Sequence, residues 1–257
     1  MNLAGQTALV TGASRGLGRA IAQRLARDGA AVCVNYFSHE AEAASLVDEI
    51  RASGGRAIAV QGDVGDPSHI QPLVDRTASE LGPISILVNN AGILFRATLD
   101  EFDQVQMDRM RRTNVDGLIL VTKAVAAGMR ERGYGRIVNL SSVASHGTAF
   151  PGSTFYAATK AAVSLLTRRF AYELGAHGIT VNAVAPGFII TDMARDAAGA
   201  QYDALVKRLS EVAMTGRCGA PEDIANAVAF LAAPEASFIT AQVLTVDGGR
   251  MDYIAHP

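Results

Sequence analysis

The stretch Thr7-Ala8-Leu9-Val10-Thr11-Gly12-Ala13-Ser14-Arg15-Gly16-Leu17-Gly18 decides how this chain is read. Thr7 to Val10 is a short β-prone run, and the pattern over 16–28 is helical, so the glycines fall on the turn between them. Glycines there let the backbone turn tightly and lie close to a pyrophosphate. The unpaired N–H groups of the first helical turn then face the phosphate charge. The spacing is Gly-x-x-x-Gly-x-Gly rather than Gly-x-Gly-x-x-Gly, and an ordinary glycine-rich strand–helix turn has the same look.

Outward from this turn, short β-branched runs alternate with segments of helical period. Strands are predicted near 7–10, 30–36, 56–61, 84–88, 136–140, 179–184 and 243–246. Helices are predicted near 16–28, 39–53, 67–81, 100–130 and 154–175, with mixed helical segments over 191–232. Strand–helix alternation implies parallel strands joined by right-handed crossovers. The strands are almost wholly apolar, as when helices cover both faces of a sheet. No linker, repeat or low-complexity tract divides the chain. The expectation is an α/β chain with one doubly wound domain over 1–257, a seven-stranded parallel sheet flanked by helices, and a ligand at the carboxyl ends of the strands.

The bulk composition narrows the function class. The chain has 257 residues, 49% of them apolar, which excludes general disorder. A net charge of −2 without a long basic run argues against nucleic acid as a partner. No apolar segment is long enough to span a bilayer, and no signal-type segment opens the chain, so no membrane partner is expected. The two cysteines, Cys33 and Cys218, suit a reduced, cytoplasmic setting. The five histidines show no metal-ligand spacing, and no metal site is expected.

Each predicted strand end carries a candidate contact. Val32-Cys33-Val34-Asn35-Tyr36 ends the second strand without an acidic residue. A carboxylate there would bind a ribose 2′-hydroxyl and repel a 2′-phosphate. Its absence, with Arg15 in the glycine turn, favours NADP(H) over NAD(H); alternatively Arg15 is simply solvated and Asn35 is a turn residue. Asp63 and Val64 end the third strand, where Asp63 either accepts from an adenine amino group or serves the turn. Asn89-Asn90-Ala91-Gly92 ends the fourth, with small residues for close passage of a cofactor and Asn side chains to tie strand ends together. Ser14, Gly16, Leu17 and Gly18 complete the first turn, and Pro186, Gly187, Ile189 and Thr191 follow the sixth strand, Thr191 facing a carboxamide.

Tyr156-Ala157-Ala158-Thr159-Lys160 lies near a helix start, and the i,i+4 spacing sets both side chains on one face. An ammonium beside a phenol favours the phenolate, making Tyr156 a usable proton donor or acceptor near neutrality. A half-buried tyrosine with a snorkelling lysine has the same pattern. Ser141-Ser142 ends the fifth strand just before this helix, where a serine can hold a carbonyl. Asn114, inside the stretch 100–130, should interrupt helix packing slightly and can hold a water relaying protons to Lys160; alternatively it is a satisfied buried amide.

These motifs, with Val246-Asp247-Gly248-Gly249, make the whole chain resemble the classical short-chain dehydrogenase/reductases. The resemblance implies a Rossmann fold, an Asn114–Ser142–Tyr156–Lys160 tetrad, and an NAD(P)-dependent hydride transfer between a ketone and a secondary alcohol. It also implies a homotetramer or homodimer built on the helices near 100–130 and 154–175, with the C-terminal strand at a second interface. Within the family the chain is most similar to 3-oxoacyl-(acyl-carrier-protein) reductases, which implies a small-molecule or acyl-thioester carbonyl substrate. Gly133 and His177 stand where carrier-protein enzymes have basic residues, with Arg132 adjacent. The segment 145–151 is one residue longer, and His146, Phe150 and Phe155 are candidate substrate contacts. Ala241 replaces a usual glycine, and the tail 250–257 is placed to reach a neighbouring subunit. The other readings are a sugar, polyol or secondary-alcohol dehydrogenase and, in a different class, a dinucleotide-sensing protein without turnover.

Overall fold

In the computed structural model, which describes residues 1–148, 150–191, 194–195 and 198–250, the strand order is β3-β2-β1-β4-β5-β6-β7, all parallel. The strands are β1 (Thr7–Val10), β2 (Ala31–Tyr36), β3 (Ala57–Gln61), β4 (Ile86–Asn89), β5 (Gly135–Leu140), β6 (Ile179–Pro186) and β7 (Val243–Val246). The helices are α1 (Gly16–Arg27), α2 (Glu40–Ala52), α3 (Pro67–Leu81), α4 (Gln104–Arg111), α5 (Gly117–Arg132), α6 (Thr154–Leu174), α7 (Tyr202–Glu211) and α8 (Pro221–Ala232). The seven expected strands are all present.

Alternation along the strands explains the two layers of helices. Ala8, Val10, Val32 and Val34 point to the face covered by Ile21 and Leu25 of α1, Leu46 and Ile50 of α2, and Ile224 and Val228 of α8. Leu9, Ala31 and Cys33 point to the other face, against Leu73 of α3, Val121 and Met129 of α5, and Leu174 of α6. Each buried Leu, Ile or Val contributes about 1.5–3 kcal/mol relative to exposure. Such strands satisfy two cores at once, which is why they read as unbroken apolar runs. β1 pairs with both β2 and β4, with Val10 opposite Val34 on one side and Val88 on the other. The order of strands reverses there, and a crevice opens outside the carboxyl ends of β1 and β4.

The helix expected over 100–130 is not continuous. α4 passes through a π-helical turn, Arg112–Asp116, before α5 begins. Asn114 sits inside that turn, as π-bulges often do at functional positions. Gly117 permits the close approach that holds it there, since a Cβ would lie 2.8 Å from Val64 Cγ2 and 2.9 Å from the Val64 carbonyl oxygen. Among the described residues no helix is long and apolar enough to cross a membrane, and no cluster of three or more His, Cys, Asp or Glu side chains could hold a metal.

Candidate active site

A cleft of about 1200 Å³ runs along the carboxyl ends of the strands. Its first half is built on the β1–α1 turn. Gly12 and Gly16 adopt positive φ, +59° and +57°, which only glycine takes without strain. A Cβ on Gly12 would lie 2.9 Å from Ala91 Cα, and one on Gly18 would lie 2.5 Å from Asn90 Nδ2 and 2.8 Å from Ala13 Cα. The loop is therefore packed against the end of β4 as tightly as backbone allows. α1 starts at Gly16 without any side-chain cap. Its first N–H groups, unpaired within the helix, are donors suited to an anion. Gly12, Ser14, Arg15, Gly16, Leu17 and Gly18 all line the cleft.

Two asparagines hold this turn. Asn35 Oδ1 accepts from Gly12 N at 3.2 Å, while its Nδ2 donates to the carbonyls of Val60 (3.3 Å) and Gly62 (3.0 Å). Asn90 Nδ2 donates to the carbonyls of Thr11 and Gly12, both at 2.8 Å. Asn35 thus braces the glycine turn against the end of β3 while itself lining the cleft. Tyr36 is buried and lies outside the cleft, because its side chain points into the α1–α2 face of the core. Phe37, Ser38 and His39 form the wall there instead, with Ser38 Oγ 3.0 Å from His39 Nδ1. No carboxylate from that stretch lines the cleft. Arg15 is exposed at the edge of the cleft and makes no ion pair among the described residues. Asp63 and Val64 line the floor, and Asp63 Oδ1 accepts from Gly65 N at 2.8 Å.

Asn89, expected at the cofactor, is also elsewhere. It is buried, and Nδ2 donates to Thr122 Oγ1 (3.0 Å) and Asn139 Oδ1 (2.9 Å), while Asn139 Nδ2 reaches Thr167 Oγ1 (2.9 Å). This network locks β4 and β5 to α5 and α6. Its neighbours Asn90, Ala91 and Gly92 line the cleft, as do Pro186 at the end of β6 and Gly187, Ile189 and Thr191 beyond it.

The second half of the cleft brings Ser142, Tyr156 and Lys160 together in its wall. Ser141 is turned away from the chemistry: its hydroxyl bonds the Lys160 carbonyl (3.1 Å) and Ser164 Oγ (2.7 Å), pinning α6 to the end of β5. Ser142 begins the short 3₁₀ turn Val143–His146, and its Oγ accepts from Ala144 N at 3.1 Å. Lys160 is buried, and its ammonium donates to the Leu140 carbonyl at 2.8 Å. Burial without a carboxylate partner brings its pKa down to about 8.

Tyr156 corrects one expectation. Lys160 Nζ lies 5.7 Å from the centre of the Tyr156 ring, yet burial governs the phenol and pushes it up to about 12, with a hydrogen bond from Ser142 pulling only part of the way back. In the chain by itself Tyr156 is therefore a protonated donor. Asn114 is anchored through its side chain. Its Oδ1 accepts from Ile93 N (2.8 Å), and its Nδ2 donates to Ile93 O (2.9 Å) and Thr159 Oγ1 (3.1 Å). Thr159 in turn donates to the Tyr156 carbonyl at 2.8 Å. The Asn114 side chain joins the segment after β4 to α6, behind the wall of the cleft, and so positions the site.

Of the substrate-side candidates, Phe150 lines the cleft, whereas His146 and Phe155 do not. Phe155 packs on Phe102, ring centres 4.9 Å apart. Arg96, which the sequence reading did not single out, lies against Phe150 with its guanidinium carbon 4.5 Å from the ring centre. Ala149, Asp192, Met193 and the tail beyond Arg250 lie outside the described residues. The signals for the missed residues were weak. Ser38 and His39 lie beyond the predicted strand end, and nothing in sequence separates Arg96 from a solvated arginine.

The family model described as enoyl-(acyl carrier protein) reductase matches residues 12–250. The 3-oxoacyl-(acyl-carrier-protein) reductase FabG of Staphylococcus aureus is 43% identical over 249 residues, covering 95% of this chain and 97% of that protein. Among solved structures, a blue fluorescent protein from a metagenomic library in complex with NADPH is 41% identical with a TM-score of 0.89, covering 97% of this chain and 99% of that one. A gluconate 5-dehydrogenase from Burkholderia cenocepacia in complex with NADP and tartrate is 37% identical with a TM-score of 0.89, over 96% and 95% of the two chains. With the fold, the glycine turn and the clustered Ser142, Tyr156 and Lys160, these similarities lead to one conclusion: the chain belongs to the short-chain dehydrogenase/reductase family of oxidoreductases.

Proposed function

We propose that this protein is an NADP(H)-dependent reductase interconverting a ketone and a secondary alcohol, acting through Ser142, Tyr156 and Lys160 in one catalytic domain. The observation that carries the proposal is the gathering of Ser142, Tyr156 and Lys160 in the same cleft as an anion-ready helix start and a backbone cradle that any Cβ would fill. Gly12, Ser14, Gly16, Leu17 and Gly18 would hold the pyrophosphate, Asp63 and Val64 the adenine, and Ala91, Gly92, Pro186, Gly187, Ile189 and Thr191 the nicotinamide half. Arg15, with Ser38 and His39 lining the same cleft, supports NADP over NAD, because a cation and two hydrogen-bonding side chains suit a 2′-phosphate better than a hydroxyl. When bound, the cofactor supplies or accepts the hydride.

The chain's own groups do the rest. Ser142 donates to the substrate oxygen and fixes its direction. Tyr156 gives its proton to that oxygen as negative charge develops there, and takes it back in alcohol oxidation. Lys160 keeps a positive charge behind the tyrosine, which favours the phenolate left after transfer. Asn114 keeps the Ile93 segment and α6 in register.

The family likeness makes 3-oxoacyl thioesters the leading substrate class. Carrier docking is not supported, since Gly133 has no side chain and Arg132 donates to the Ile84 carbonyl at 2.6 Å. A polyol or sugar-acid substrate is the second reading, favoured by Arg96. Exposed Leu165 and Tyr172 on α6, with Phe238 and Leu244 around β7, support a homotetramer, and the two free, buried cysteines support a cytoplasmic setting. The test is absorbance loss of NADPH and NADH with acetoacetyl-N-acetylcysteamine, with crotonyl-N-acetylcysteamine as the enoyl control. The proposal expects ketone-dependent oxidation of NADPH, at least ~10-fold weaker use of NADH, and about 10²–10⁴-fold loss of turnover in Tyr156→Phe with dinucleotide affinity retained. Turnover with the enoyl compound alone, or near-native turnover in Tyr156→Phe, would overturn it.

A further inference from the structure

Arg96 has no partner that accounts for it. It follows β4 in the segment between Gly92 and α4, and it lines the same cleft as Ser142 and Tyr156. Its guanidinium lies against the Phe150 ring, and its Nε is out of reach of solvent without a hydrogen-bond acceptor. No carboxylate pairs with it among the described residues. The backbone holds the arrangement, because Ala97 N donates to the Gly152 carbonyl at 3.0 Å and a Cβ on Gly152 would lie 3.4 Å from Arg96 Cβ. The segments carrying Arg96 and Phe150 are thus stitched together beside the reacting end of the cleft.

A guanidinium that is partly desolvated and unpaired is costly unless an anion completes it. Its desolvation is felt as a lowered pKa. With Nε enclosed and Phe150 covering one face, the terminal Nη groups are the donors left for an anion in the cleft, and carboxylate and phosphate oxygens match such a pair. Of the four other arginines lining the cleft, Arg15 is at the glycine turn, Arg109 is exposed on α4, Arg112 Nη2 is 3.5 Å from the Gly65 carbonyl, and Arg250 lies beyond β7; none of them is set against Phe150.

We propose that Arg96, backed by Phe150, binds an oxyanion on the substrate, so that this enzyme selects ketones and alcohols carrying a carboxylate, or a phosphate on a pantetheine-type arm, over neutral ones. The proposal rests on the carbonyl-reductase reading above and names the substrate feature that its cleft selects.

The test compares matched pairs with NADPH: 4-oxopentanoate against its methyl ester, and acetoacetyl-4′-phosphopantetheine against acetoacetyl-pantetheine. The expected result is an anion preference in one pair, identifying carboxylate or phosphate as the source. That ratio of kcat/KM falls at least ~10-fold in Arg96→Met and partly returns in Arg96→Lys. A ratio unchanged within twofold in Arg96→Met, or no anion preference in either pair, overturns the proposal. A second measurement covers a variant that fails to fold. In the wild-type protein with NADP⁺, one of the two anions should raise the melting temperature and its neutral partner should not; equal shifts within both pairs overturn the proposal. If no compound oxidises NADPH, the reductase reading fails by itself, and the melting shifts still decide whether Arg96 binds an anion.

Discussion

Asn114→Ala tests whether the tetrad asparagine is a positioning group. The substitution removes three hydrogen bonds, from Ile93 N (2.8 Å) and to Ile93 O (2.9 Å) and Thr159 Oγ1 (3.1 Å). At about 0.5–1.5 kcal/mol net for each bond, and with the Ile93 groups left poorly satisfied, the loss is about 3 kcal/mol. For a chain of this size that lowers Tm by roughly 6–12 °C. Urea unfolding followed by circular dichroism reads it directly, with the midpoint falling and the slope unchanged. The kinetic consequence follows from position. Ile93 adjoins Gly92, where a Cβ would lie 3.4 Å from both Asn114 Oδ1 and Lys160 Nζ. Thr159 belongs to the same helical turn as Tyr156 and Lys160. Loosening both sides misplaces the proton donor, so kcat should fall about 10- to 100-fold. NADP⁺ affinity, read by titration, should change less than about threefold, since none of the three bonds touches the glycine turn. Asn114→Asp, which keeps the acceptor and loses both donated bonds, should fall between. A loss of stability below about 0.5 kcal/mol, or full turnover in Asn114→Ala, would refute the bridging role.

Two further predictions rest on other parts of the cleft. Lys160 has a pKa of about 8 in the folded chain and its usual value of 10.5 when unfolded, so between these values the unfolded state binds more protons and stability from this group rises with pH. Relative to Lys160→Met, the wild-type chain should gain about 1–2 kcal/mol from pH 7 to pH 9.5 in urea melts; a flat or falling difference would mean that burial does not govern this lysine. Gly18→Ala places a methyl group 2.5 Å from Asn90 Nδ2 and against the Gly12 carbonyl. It should cost about 1–3 kcal/mol of stability and at least ~10-fold in NADPH affinity by fluorescence titration, and affinity within twofold of wild type would remove the tight cradle.

Much of the architecture was legible in the chain because it follows from local rules. Strands such as Thr7–Val10 and Val32–Val34 face two cores, so their apolar runs are unbroken, and the helices between them carry one apolar face each. The order of motifs placed Gly12–Gly18, Ser142, Tyr156 and Lys160 at the ends of strands, hence on one edge of a parallel sheet. The helical spacing put Tyr156 and Lys160 on one face.

What the tertiary structure decided is the direction of each polar side chain. Asn35, Asn89, Asn90 and Asn114 carry the same amide, and three-dimensional neighbours use all four for tying strands, turns and helices together. Tyr36 and Phe37 are adjacent aromatics, and the pleat sends the first into the core and leaves the second at the cleft. Burial, which depends on atoms far apart in sequence, raises the Tyr156 phenol against the expectation drawn from Lys160 four residues away. The same dependence hid Arg96, which became a site only when Phe150, fifty-four positions later in the numbering, closed over it. Sequence spacing sets which residues share an edge or a face. Folding sets which groups are desolvated and which have partners, and those two quantities decide the chemistry.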